Sequence, residues 1–164
     1  DEATKLYNLL ALGALKYFLL KVDPKKRMLF NPEESIDFQG HTGPFIQYTY
    51  ARIRSITRKA QVSDIIPKLP ETTYEFHPSE KDLIFTLSQY PQRVAAAADE
   101  YSPSLISQYA YELAKTYNQF YAEVSIFADP NPEAVAFRVA ISQVVSETIL
   151  KSMGLLGIEV PERM

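Results

Sequence analysis

Apolar residues recur along most of this chain at spacings of three and four, the period of a helix buried on one side. Leu6, Leu9, Leu10, Gly13, Tyr17 and Leu20 mark a first helix over residues 1–20, which opens without a clear cap and reads as an excerpt from something longer. Met28, Leu29 and Phe30 make one short extended segment, closed by the turn signal of Asn31 and Pro32. The stretch Asp37–Ser55 organises the rest of the chain. Its first half brings Gly40, Thr42, Gly43 and Pro44 together, which predicts a tight turn whose backbone approaches something closely. Thr42 can cap a helix there and Pro44 suits its first turn, where a missing N–H costs nothing. Over roughly Pro44–Ala60, Ile46, Ile53 and Ile56 form an inward stripe. Phe45, Tyr48 and Arg52 form a second one, which puts two rings and a guanidinium on one face of a recognition helix.

The remaining pattern is also helical. Gln61–Pro78 contains Pro67, Pro70 and Pro78 and reads as a long loop with room for one helical turn. Ser79 to Asp82 resembles a capping box that starts a helix to about Gln89. Pro91 breaks or kinks it, and Arg93–Glu100 resumes with the small face of Ala95 to Ala98. Ser102 and Pro103 open a long amphipathic helix on Leu105, Tyr109, Leu113, Tyr117, Phe120, Tyr121 and Val124. A last helix is predicted from about Glu133 to Met153, with Val135, Val139, Ile149 and Met153 inward and Gln143, Glu147 and Lys151 on the wet side. Gly154 or Gly157 ends it. The fold class is all-α, a helix bundle.

Composition narrows the function classes. At 164 residues the chain can bury one domain, or one domain with a piece of another. A hydrophobic fraction of 46% with 23% charged residues excludes disorder. The absence of cysteine removes disulfides, thiolate nucleophiles and zinc–thiolate clusters. No apolar run approaches the ~20 residues of a membrane span, and no signal-peptide layout opens the chain, so no membrane partner and a cytoplasmic location are expected. A net charge of -3 argues against indiscriminate coating of nucleic acid. Its distribution is uneven, however: Arg52, Arg54, Arg58, Lys59 and Lys68 share a span whose one acid is Asp64.

The two histidines, His41 and His77, have no partner at metal spacing, and no Gly-x-Ser-x-Gly or phosphate loop occurs. Catalytic and metal residues are therefore expected to be none, with His41 in a loop hydrogen-bonding role and His77 exposed in a loop. The 11 tyrosines are the other anomaly. Tyr109, Tyr111 and Tyr117 read as core. Tyrosine beside arginine is also the equipment for unpaired RNA bases, where stacking contributes ~1–3 kcal/mol per base. On the residues alone, an RNA-binding face and a helical protein-protein interaction module that uses the same rings as anchors both remain open.

A resemblance bears on that choice. Leu12–Leu20, the turn Phe38–Tyr48 with its Gly-x-Thr-x-Pro-x-x-Gln-Tyr pattern, Ala51–Ser55, Tyr109–Tyr121 and the ending Gly-Leu-Leu-Gly-Ile-x-x-Pro-Glu-Arg-Met together resemble the C-terminal part of the arginyl-tRNA synthetase (arginine-tRNA ligase) family, across essentially the whole chain. The resemblance implies a class I synthetase whose helical DALR anticodon-binding domain, here 44–164, grips the anticodon loop and stem of arginine tRNA. Residues 1–43 would be the end of the catalytic region and the linker. The family's His-x-Gly-His-like signature and Lys-Met-Ser-Lys-like loop are missing from this sequence. The fragment is accordingly expected to be inactive alone and to hold no cofactor; ATP with magnesium serves the full-length enzyme. Its implied partners are the tRNA and the catalytic domain of the same polypeptide, in a monomer.

Carried over by position, Phe45, Tyr48 and Arg52 face the anticodon loop, and Tyr121 and the terminal Met164 lie near the same loop; in the RNA-binding reading Arg52, Arg54 and Arg58 meet phosphates or base edges. Tyr117 or Phe120 can take the place of Tyr121 after a half-turn shift. Propensity alone predicts that the end frays beyond Gly157, because Pro161 forbids a regular helix. The resemblance implies instead that it folds back beside the recognition helix.

Overall fold

The computed structural model describes residues 2–71 and 73–164; Asp1, and Thr72 in the proline-containing loop, lie outside the described residues. Among the described residues there are seven helices and no strand: α1 (Glu2–Leu20), α2 (Pro32–Ser35), α3 (Gly43–Val62), α4 (Pro78–Ser88), α5 (Tyr90–Asp99), α6 (Pro103–Glu123) and α7 (Pro132–Leu155). The all-α bundle matches the expectation from sequence. α3, α6 and α7 pack on one another, α4 and α5 cover α6, and α1 lies on α3.

Each core helix buries most of the stripe that its sequence marks, with Tyr121 of α6 left exposed. Ile46, Ile53 and Ile56 come from α3, Tyr109, Leu113, Tyr117 and Phe120 from α6, and Val139, Val145, Ile149 and Met153 from α7. Burial of tyrosine requires a partner for each hydroxyl. Tyr17 donates to the Ser107 carbonyl at 2.7 Å, Tyr109 to the Thr86 carbonyl at 3.1 Å and Tyr117 to Ser142 Oγ at 3.0 Å. Burial pushes all three hydroxyls above the usual tyrosine range.

The glycine turn does approach another backbone. A Cβ on Gly43 would stand 2.6 Å from the Gly13 carbonyl oxygen, and one on Gly13 would strike the Gln47 side chain. α1 and α3 thus cross where neither has a side chain. Thr42 caps α3 through a hydrogen bond from the Phe45 N–H at 3.3 Å, with Pro44 in the first turn.

Two local details differ from the sequence reading. His77, not Ser79, is the cap of α4: it joins Glu80 in a capping box, and Pro78 takes the first helical position. The fixed φ of Pro78 starts the helix two residues early, which leaves the less usual cap residue in place. His41 in turn makes no side-chain hydrogen bond through its buried Nε2, and its ring stacks on Tyr111 at 4.0 Å.

The tail is held in place. α7 runs through Gly154 and stops at Gly157, whose φ is +67°. Bonds from the Gly157 N–H to the Gly154 carbonyl and from the Ile158 N–H to the Met153 carbonyl close it as a Schellman motif. The next residues run between α1 and α3. Lys16 Nζ donates to the Gly157 carbonyl at 2.6 Å, Gln47 Nε2 to that of Glu159 at 2.8 Å and Arg58 to that of Glu162 at 3.1 Å. Donors from distant elements therefore replace the helical bonds that Pro161 forbids.

Candidate nucleic-acid interface

Arg52 is the centre of the exposed face. Its guanidinium carbon lies 4.9 Å from the ring centroid of Tyr48 and 5.1 Å from that of Tyr121, so one cation sits against two rings from two helices. The side chain is fixed from a third side, where Arg52 donates to Asn118 Oδ1 at 2.6 Å. Asn118 in turn donates to Thr49 Oγ1 at 2.8 Å, and Thr49 donates to the Phe45 carbonyl at 2.9 Å. This chain of bonds holds the planar cation in place against the two rings.

The rings remain open to solvent. Tyr48 is 44% exposed and Tyr121 43%, whereas Tyr117 and Phe120 are fully buried. Of the three candidate rings at the end of α6, Tyr121 is the one placed at the face. Beside this cluster lies a cleft of about 740 Å³, lined by Phe45, Tyr48, Arg52, Asn118 and Met164 together with Leu6, Leu10, Phe38 and Gln39. Phe45 is only half available. It packs toward the core and lies 5.3 Å from the Tyr111 ring.

Arg54 and Arg58 lie on the neighbouring side of α3, toward the tail. Arg54 Nε meets Glu162 Oε2 at 2.7 Å, and Arg58 approaches the same oxygen at 3.9 Å. The Tyr50 hydroxyl donates to the other carboxylate oxygen at 3.3 Å. Here the two arginines hold the tail that carries Met164.

Asn118 and Glu162 carry no role in the sequence reading, although both shape the face. Asn118 stands three residues before Tyr121 and so shares its side of α6, a signal that the spacing contains. Glu162 sits on a segment without period, and nothing local announces it. The described residues include no group of three or more His, Cys, Asp or Glu side chains placed to hold a metal ion.

An exposed stacking cluster beside a basic helix is what an RNA loop requires, and the family model for the DALR anticodon binding domain matches residues 46–164. The chain belongs to that family. The arginine–tRNA ligase of Flavobacterium psychrophilum is 52% identical over 164 residues, covering all of this chain and 27% of that protein. That of Phocaeicola vulgatus is 50% identical over 165 residues, with the same coverage. Among solved structures, Thermus thermophilus arginyl-tRNA synthetase superposes with a TM-score of 0.85 at 31% identity, over 95% of this chain and 27% of that one. Arginyl-tRNA synthetase from Plasmodium falciparum, at 23% identity and a TM-score of 0.80, shows the shared fold. The DALR chain thus spans about a quarter of the length of the relatives it matches.

Proposed function

We propose that this DALR domain grips the anticodon loop and stem of arginine tRNA as one part of an arginine–tRNA ligase. The carrying observation is the guanidinium of Arg52 fixed between two exposed tyrosines at the mouth of a cleft that ends on Met164. Unpaired bases splayed from a loop stack on Tyr48 and Tyr121, and Arg52 meets a base edge or phosphate between them. Phe45 closes the cleft. Arg54 and Arg58 hold the tail and add positive potential along the path of the strand.

In this reading residues 1–43 are the end of the catalytic region and the linker, and 44–164 the anticodon-binding domain, with α1 seated on α3 as the joint. Attachment of arginine, with ATP and magnesium, belongs to the rest of a monomeric, cytoplasmic enzyme and to the catalytic domain of the same polypeptide. No helix among the described residues is long and apolar enough to cross a membrane.

The test is a titration of the chain with the anticodon stem-loop of arginine tRNA beside one with a changed central anticodon base. Cognate binding should be tighter, and its logarithm should fall with log salt at about -0.7 per phosphate contact. Binding that ignores both the base and the salt would favour a protein-interaction module. Arginine-dependent pyrophosphate exchange with ATP should stay at the level of a mock preparation.

A further inference from the structure

Arg52 also borders a second cleft, of about 610 Å³, whose lining shares only Arg52 with the Met164 cleft. That size falls within the range of about 300–1,000 Å³ that takes a small ligand. Its floor is the α3 surface at Arg52, Ser55 and Lys59, and its far wall is the chain leaving α6, from Tyr121 to Ala128. Arg52 and Tyr121 are shared with the anticodon face, and no other residue of this lining carries a contact in the proposed function.

The lining has the chemistry of a nucleotide site. Lys59 is exposed, makes no ion pair among the described residues, and holds its Nζ 4.5 Å from the ring centroid of Phe127. Arg52 and Lys59 stand seven residues apart on α3, about 10 Å along its axis, so one strand can place a phosphate at each. Tyr121, Ala122 and Glu123 are the last residues of α6, and among the described residues their carbonyls receive no backbone hydrogen bond. Such carbonyls accept from ribose hydroxyls and base amino groups. Glu123 is the one acid in the lining, and its carboxylate accepts from Gln119 Nε2 at 2.9 Å. Two cations therefore face one occupied carboxylate.

The wall is also preformed. Val124 and Ile126 are buried, and Arg138 donates to the Ser125 carbonyl at 2.8 Å and meets Asp129 at 2.7 Å. A wall anchored from behind loses little freedom when a ligand binds.

The geometry points to a second nucleotide subsite in this cleft. It takes the nucleotide adjoining the one stacked at Tyr48 and Tyr121, with its phosphate at Lys59, its base against Phe127 and Arg52 as the partition. The subsite rests on the anticodon-binding function proposed for the domain. The test uses Lys59→Gln and Phe127→Leu, which keep the aliphatic stem and the apolar bulk. Both are titrated with the anticodon stem-loop and with versions lacking one loop base at a time. Phe127→Leu should bind the intact stem-loop about tenfold more weakly, within the scale of one lost base stack, and Lys59→Gln should weaken it by the loss of one phosphate contact. Lys59→Gln should also reduce the salt slope by about 0.7. One base deletion should weaken the parent chain but not Phe127→Leu, at a loop position different from the one masked by Tyr48→Ala. Parent-like affinity and salt slope in both variants, or one shared masked position, would overturn the subsite while Tyr48→Ala still upholds the anticodon reading. If Tyr48→Ala is silent too, the anticodon reading itself has failed. Should Phe127→Leu lower melting, the salt slope of Lys59→Gln decides, because that side chain is exposed.

Discussion

Two arginine–carboxylate knots tie irregular segments onto this bundle, and they differ chiefly in burial. In the first, Arg138 of α7 meets Glu80 of α4 and Asp129 of the preceding loop, both at 2.7 Å. The Glu80 carboxylate also accepts from the Tyr74 hydroxyl at 3.0 Å and from the His77 N–H at 2.9 Å. Its side chain is fully buried, and burial together with Glu80 pushes the Tyr74 hydroxyl up to about 12. In the second, Glu162 of the tail meets Arg54 and Arg58 with side chains 58%, 35% and 35% exposed. The same chemistry gives two functions. A desolvated knot cannot exchange partners without stranding a charge, so it holds the fold. A wet knot exchanges readily with water, salt or a phosphate, which suits the edge of a binding face.

The largest effect should come from cutting the buried knot. Arg138→Met leaves Glu80 without its guanidinium and should cost ~3–5 kcal/mol of folding stability by urea denaturation. Glu162→Gln should cost no more than ~1 kcal/mol in the same assay. Similar losses in the two variants would break the comparison.

RNA affinity should show the reverse order. Tyr48→Ala should weaken stem-loop binding by ~1–3 kcal/mol with melting nearly unchanged, since the ring is exposed; a collapse in melting would return Tyr48 to the core. Deletion of Arg163 and Met164 should lower cognate affinity by more than ~1 kcal/mol, the scale of one lost stack. Thermal stability should hold, because the tail's carbonyls stay bonded up to Glu162. Unchanged affinity would remove the tail from the anticodon pocket. Glu162→Gln should act more gently, freeing two cations for phosphate and loosening Met164. Its salt slope should steepen while discrimination of the changed central base declines.

Legibility in the sequence divides along the same line. Residues that act through helical period can be placed in advance: the α3 stripes, the inward face of α7 and the choice of Arg52 with Tyr48 all rest on spacings of three and four. Tyr117, Phe120 and Tyr121 fall too close in angle for period to separate, and packing against α7 decides among them. Contacts made by donors from distant elements are invisible to period. Propensity predicts fraying beyond Gly157, but Lys16, Gln47 and Arg58 supply its bonds from positions more than a hundred residues away. His77 escapes notice as a cap because histidine is not among the favoured cap residues, and the proline after it decides the start of α4.

A basic side chain with no acid beside it sharpens the comparison from the other side and gives the smallest effect. His41 packs between Tyr17 of α1 and Tyr111 of α6, and its carbonyl accepts from Lys21 Nζ at 3.0 Å. Burial, and then repulsion from Lys21, hold its imidazole below the usual histidine pKa. Where Arg138, Arg54 and Arg58 each meet a carboxylate, this ring is held toward the neutral form. Between the lowered folded value and the ordinary value near 6.5 the unfolded chain binds more protons, so stability rises with pH across that window. The contribution is complete above pH 6.5 and is lost as pH falls through the folded value. His41→Phe keeps a ring against Tyr111 and removes the titration. The difference in unfolding free energy between pH 7.5 and pH 5 should therefore be smaller in His41→Phe than in the parent chain. An equal difference in both would mean that the fold tolerates the imidazolium, and that a half-buried cation at the start of α3 needs no partner.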